Sequence, residues 1–221
     1  MGQFINTMNT RVNGKSSTVA GPTRHQCLIY AGPPSQQLPA LAATIQGKIN
    51  EGYRCLYMNS RPMVAGIRTC LAAIGVDVVS EIARARLVLS SEPVTTADGG
   101  WDIDSMLAKL DDAVEQALSD GYQGLFATGD MTWEFGSEKN FPKLMEYEHR
   151  LEELFRKRKA LHGICQYHQD TLPPEVIRQG FLTHRTLYIN ETLSRVNPHY
   201  AAPGRAIEVN PKLDEMITAL R

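Results

Sequence analysis

The 221-residue sequence predicts an α/β fold, an open and mostly parallel sheet of about six strands with helices on both faces. Short apolar runs alternate along the chain with longer stretches of helical period. The runs are apolar throughout rather than at every second residue, as a strand needs when helices cover both its faces. In the plainest of them, Leu125, Phe126 and Ala127 lead without a charge into Thr128, Gly129 and Asp130. Polar groups thus begin where the strand ends, as they do beside a ligand crevice.

Residues 1–24 are polar, rich in Asn, Thr, Ser and Gly, and without period; they read as a flexible tail. The first strand is expected over 25–31 and is broken by Gly32, Pro33, Pro34 and Ser35. A helix follows with Leu38, Leu41, Ala42, Ile45 and Ile49 at helical spacing, ended by Gly52. The second strand is 54–59, Pro62 opens a helix that runs to Gly75, and the third strand is 86–90. After Gly99 and Gly100, Asp102 and Asp104 mark a helix start, where carboxylates suit the dipole. That helix carries Ile103, Met106, Leu107, Leu110, Val114, Ala117 and Leu118 inward and closes at Gly121. The strand ending at Asp130 comes next, and then a long helix over 139–159 with Leu144, Tyr147, Leu151, Leu154 and Phe155 inward. Its basic end, Arg156 to Lys159, reads as a solvated helix terminus complementing the dipole. A strand over 162–168, a short helix begun by Pro173 and Pro174, and a strand over 186–189 complete a domain placed at 25–194. Residues 195–221 read as a Pro/Gly-rich linker and a short amphipathic helix over 211–220, which either folds back or binds a partner.

Composition narrows the function. The net charge is −1, too small to attract nucleic acid or an anionic membrane. Four cysteines in apolar contexts, none in a CxxC pair, suit a reduced core better than a disulfide framework. No apolar run approaches the roughly 20 residues of a membrane span. Met1 and Gly2 lack the Ser or Thr that myristoylation wants at position 6, where Asn6 stands. A cytoplasmic protein is expected. Gly14, Lys15 and Ser16 match the end of a phosphate-binding loop, but Asn9 replaces the required earlier glycine and no buried strand precedes it.

Several motifs in order resemble the MEDS domain, the methanogen/methylotroph DcmR sensory domain. They are His25-x-Cys27-x-x-Tyr30, Gly52 to Tyr57, Thr128-Gly129-Asp130-Met131-Thr132-Trp133, Glu146-Tyr147-Glu148, Cys165-Gln166-Tyr167 and Thr183-His184. The resemblance covers 25–184 and implies a RecA/KaiC-like three-layer sandwich without a functional P-loop. It also implies a non-catalytic role in prokaryotic signalling, sensing a small hydrocarbon derivative. Members of the family are often fused to DNA-binding or histidine-kinase domains, neither of which is read here. The chain has Asp130 where Glu is usual in the family, a carboxylate for a carboxylate.

Asp130 is either the acid of a nucleotide site or one wall of another pocket. The turn facing it, 31–36, holds Pro33 and Pro34, which have no N–H for a phosphate, and no Lys occurs before Lys48. A metal site drawn from Cys165 and His168, with His25, Cys27 and Asp170 near, meets an obstacle. Residues three apart on a strand point to opposite faces, so structural cysteines and no metal are expected. Thiol catalysis needs an accessible, activated Cys, and Cys165 sits mid-strand. His25 and His184 read as structural, and Glu148 either touches a ligand or pairs with a nearby Arg such as Arg150 or Arg178.

A small-molecule pocket beyond the strand ends fits best, lined by Tyr30, Gly32, Asp130, Trp133, Tyr167 and His168. The expected function is therefore ligand sensing without catalysis and without a cofactor, passed to a signalling partner or a second copy through the C-terminal helix. The alternatives are a nucleotide-binding or vestigial ATPase domain and a ligand-free docking module.

Overall fold

A computed structural model of the chain describes residues 24–91, 102–134, 140–189 and 193–196, with Pro211, Asp214 and Glu215 beyond them. The strands are β1 (His25–Tyr30), β2 (Arg54–Met58), β3 (Leu87–Ser90), β4 (Leu125–Asp130), β5 (Leu161–His168), β6 (Thr186–Ile189) and β7 (Leu193–Val196). The helices are α1 (Leu38–Asn50), α2 (Arg61–Ala73), α3 (Val78–Ala83), α4 (Ile103–Ser119), α5 (Met131–Glu134), α6 (Phe141–Lys157) and α7 (Pro174–Thr183).

They build one open sheet in the order β3-β2-β4-β5-β1-β6-β7. The first six strands run parallel, and only β7 pairs antiparallel, with β6. This is the α/β architecture expected, with a seventh strand that the sequence does not announce. Leu193–Val196 is four residues long and stands beside Asn197 and Pro198, so neither length nor composition marks it. It carries the sheet to Val196.

Two cores result, one on each face. The side of α1, α2 and α3 buries Leu28, Tyr30, Cys55, Tyr57, Phe126 and Ile164. The side of α4, α6 and α7 buries Cys27, Ile29, Leu125, Ala127, Cys165 and Tyr167. The alternation along each strand is the period-2 geometry of a pleated strand whose two faces are both covered.

Helix boundaries follow their caps. The Asp102 and Asn140 side chains accept from the backbone N–H of Ser105 at 3.0 Å and of Lys143 at 3.1 Å, which starts α4 and α6 at Ile103 and Phe141. The Asp77 side chain caps α3 in the same way, a six-residue helix too short to show a period. At the end of α6 the basic run is not wholly solvated: the Arg158 guanidinium bonds both oxygens of Asp111 and also Glu115, tying the helix end to α4. Most of the C-terminal helix expected over 211–220 lies outside the described residues, but Asp214 pairs with Arg178 of α7. No described helix is long and apolar enough to cross a membrane.

Candidate functional site

The strand order creates a crevice. Connections leaving β1 and β2 run over the face of α1 to α3, and those leaving β4 and β5 run over the face of α4, α6 and α7. They therefore diverge between β5 and β1 and again between β2 and β4. Such switch points, outside the carboxyl ends of the strands, are where open α/β sheets hold ligands.

Four of the six predicted residues meet there. β1 and β4 both flank β5, so they lie about 9–10 Å apart. Tyr30 spans that gap: its ring lies across β5, stacked on His168 with centroids 5.0 Å apart, and its hydroxyl donates to Asp130 Oδ2 at 2.7 Å. Asp130 Oδ1 accepts the Thr132 backbone N–H at 2.8 Å. Burial first, and the Asp130 carboxylate second, hold the Tyr30 phenol far above its usual range, so it stays a donor. The Tyr57 phenol is also raised by burial.

The turn after β1 is clipped to the loop after β5. The Gly32 N–H donates to Asp170 Oδ2 at 2.7 Å, and the Gly32 carbonyl accepts from His168 Nε2 at 2.9 Å. A carbonyl only accepts, so Nε2 carries the proton, and Nδ1 takes the Thr171 hydroxyl at 2.6 Å. Gly32 holds φ +76°, a left-handed conformation that glycine adopts without strain.

Tyr167 is not part of this group. Its neighbour His168 faces Tyr30, so the pleat turns Tyr167 to the opposite face, over Gly180 and His184. The Trp133 backbone lies in α5, directly after Asp130.

A second constellation lies on that opposite face. β1 and β5 pair with His25 opposite Gly163, which brings Cys165, two residues along, to the same side as His25. The His25 ring stacks on Phe155 at 4.2 Å, and its Nδ1 bonds Glu152 Oε2 at 2.8 Å. Its Nε2 is 3.3 Å from the Cys165 sulfur and 3.8 Å from Glu148 Oε2. His184, at the end of α7, bonds the Gly180 carbonyl through Nδ1 at 2.8 Å and turns Nε2 to within 3.6 Å of Glu148 Oε2.

Glu148 is fully buried on the inner side of α6 and makes no pair with Arg150 or Arg178, contrary to the sequence reading. Those arginines instead bond Asp104 and Asp214. Residue 148 lies beside Tyr147 and one turn from Leu144 and Leu151 on the core stripe, and helix phase outweighs its charge. Burial pushes the Glu148 carboxyl up to about 7. Tyr167 and Cys165 pull the other way, and Glu152 adds to the rise. The Tyr167 hydroxyl lies near it without making a hydrogen bond of ordinary geometry. Burial drives His25 down to about 3, and it holds His184 well below its usual value, with His25 adding to the effect. Both imidazoles are therefore neutral. Sequence reasoning weighed Cys165 with His25 as possible metal ligands but left Glu148 and His184 out; their membership of separate motifs of one family was the available signal that all four converge.

An apolar cavity of about 20 Å³ lies beside this cluster, lined by Met58, Gly129, Met131, Tyr147 and Cys165 among others. It has room for about one water. A surface groove of about 460 Å³ between the starts of α4 and α6 is lined by charged groups, with Arg150 already paired to Asp104 and Glu146.

Fold and site together define an open, mostly parallel α/β domain whose first strand ends in a proline turn clipped to Asp170 of the loop after β5. Comparison with known proteins makes this specific: the chain belongs to the family described as MEDS, the methanogen/methylotroph DcmR sensory domain, which matches residues 24–185. Curated protein sequences give no match. Among solved structures the chain is similar to the flagellar accessory protein FlaH from Methanocaldococcus jannaschii, with TM-score 0.54 and 12% identity. That likeness covers 83% of this chain and 82% of the other, and at such identity it concerns the fold alone.

Proposed function

We propose that the domain is a non-catalytic receptor for a small, largely apolar organic molecule in prokaryotic signal transduction. The ligand sits at the β5/β1 switch point against Tyr30, Gly32, Asp130 and His168, with Trp133 on the adjoining segment. Membership of a sensory family supports the role. The observation that carries the chemistry is the Gly32 amide. In a phosphate-binding loop this first backbone N–H would face the ligand; here it donates to Asp170. Pro33 and Pro34 offer no N–H, and the Gln36 N–H is spent on the Pro33 carbonyl at 2.9 Å. Aromatic walls with one buried carboxylate suit an apolar molecule oriented by one or two hydrogen bonds.

Thermal-shift screening tests this with short alcohols, amines, carboxylic acids and halogenated hydrocarbons, run beside ATP with magnesium. A ligand at 100 times its Kd adds about 2.7 kcal/mol, which at about 2–4 °C per kcal/mol for a domain of this size raises Tm by about 5–11 °C. The shift should disappear in His168→Ala. Stabilisation by ATP with magnesium and by no organic compound would replace this reading with nucleotide binding. No response to any compound, with self-association lost on removing residues 205–221, would replace it with a docking module.

A further inference from the structure

The opposite face of the sheet points to a different kind of site. His25, Glu148, Cys165 and His184 are all buried, and one ligand atom from each lies within 4.8 Å of all the others. They come from four separate segments: the start of β1, the middle of α6, the middle of β5 and the junction of α7 with β6. We propose that these four side chains form a structural site for one divalent cation of the zinc class, held by two imidazoles, a thiolate and a carboxylate.

Proton placement is the first reason. Glu152 accepts from His25 Nδ1 and the Gly180 carbonyl accepts from His184 Nδ1, so in both rings Nδ1 carries a proton and Nε2 is the nitrogen left to bind a cation. Each Nε2 therefore presents a lone pair, that of His25 3.3 Å from the Cys165 thiol, and both lie close to the same Glu148 oxygen, 3.8 and 3.6 Å away. Neither Glu148 oxygen receives a hydrogen bond of ordinary geometry. Two imidazole lone pairs and a carboxylate oxygen thus converge in a dry interior with the Cys165 thiol among them, a set of donor atoms that a cation would hold together. A carboxylate and a backbone carbonyl orienting the far nitrogens of two histidines are also the outer-shell pattern of metal-bound imidazoles.

Geometry and charge are the second reason. Tetrahedral zinc, with bonds of about 2.0–2.3 Å, sets its donors about 3.3–3.8 Å apart. The contacts from His25 Nε2 to Cys165 and from both histidines to Glu148 already span that range. A pair at the 4.8 Å limit needs to close by roughly 1–1.5 Å. The thiolate and carboxylate cancel the dipositive charge, so the buried centre is neutral overall. Binding releases the Cys165 thiol proton to solvent, and any proton on Glu148 with it. The donors are four and all from protein, the number of a closed structural site rather than a catalytic one. Cys165 and His168 point to opposite faces; its partner is His25, which only the β1–β5 pairing reveals.

The test is to refold the full, tag-free chain from urea with one equivalent of zinc or cobalt(II), because the donors are closed off in the folded protein. After desalting, one equivalent of zinc per chain should remain. The cobalt form should show a thiolate charge-transfer band and the visible bands of a tetrahedral ion. Both should be lost in Cys165→Ser and kept in Cys70→Ser. X-ray absorption on the zinc-loaded wild type should give a first shell of one sulfur and three nitrogen or oxygen atoms. This last measurement decides the matter even if Cys165→Ser does not fold. Folded protein that retains no metal, or a retained metal without a sulfur neighbour, overturns the proposal. Thermal-shift results at the Tyr30 crevice neither support nor weaken it, since that crevice lies on the other side of the sheet.

Discussion

Replacing Tyr30 by Phe probes the crevice most directly, because one hydroxyl joins two strands that do not touch. The lost interaction is a hydrogen bond to Asp130 at 2.7 Å, between groups 1% and 5% exposed. Hydrogen bonds to a charged partner contribute about 1.5–3 kcal/mol, and burial leaves no water to replace the donor. The Thr132 N–H remains on the other carboxylate oxygen, so Asp130 is weakened rather than abandoned. The ring itself is kept, and its stacking on His168 with it. A loss of about 2 kcal/mol follows, or about 4–8 °C in Tm at about 2–4 °C per kcal/mol. Urea denaturation gives the first figure and calorimetry the second. A loss below about 0.5 kcal/mol, the scale of an ordinary surface change, would refute the reasoning: the Tyr30–Asp130 hydrogen bond would then not tie β1 to β4.

Three further outcomes are expected. Gly163→Ala places a Cβ 2.5 Å from the Ala127 carbonyl oxygen and 2.9 Å from the Phe155 ring, and a backbone oxygen in a paired strand cannot give way. It should cost about 3 kcal/mol or more in urea denaturation, and a loss under about 1 kcal/mol would mean that β4 and β5 are less tightly spaced. His162 is held down to about 4 by burial, with Lys48 and Arg24 adding to it, against 6.5 in the unfolded chain. Its contribution is complete above pH 6.5 and is lost towards pH 4, because only the unfolded chain takes up the proton in that window. His162→Gln should flatten the fall in stability between pH 6.5 and 4. The difference stays well below about 1.4 kcal/mol per pH unit because the ring is half-exposed, and an unchanged slope would contradict it. Burial pushes the Cys55 thiol up to about 12 and raises Cys27 well above its usual value, while Cys70 is partly exposed. Iodoacetamide followed by mass spectrometry should therefore find Cys70 modified first, and Cys55 labelling as fast as Cys70 would show that the core opens readily.

What the amino-acid sequence determined by itself was everything that depends on neighbours along the chain. Apolar runs bounded by Gly and Pro located the parallel strands, because a strand covered on both faces has no polar side to blur the pattern. Pro33 and Pro34 removed phosphate-binding amides before any coordinates were needed, since proline lacks the N–H wherever it sits. Asp130 could be placed at a strand end. The tertiary structure decided whatever depends on register and helix phase. That Tyr30 crosses β5 to reach Asp130 follows from the sheet order, which no local period encodes. Tyr167 was grouped with His168 because the two are adjacent in sequence, yet adjacency on a strand is what sends them to opposite faces. Glu148 looked like a surface acid until α6 turned it inward. His25 and Cys165 could be suspected as neighbours, but that they meet each other rather than His168, with His184 beside them, waited on the β1–β5 pairing and the docking of α7. Chemistry made by convergence is absent from any one stretch of sequence, because each stretch supplies one donor and only packing supplies the rest.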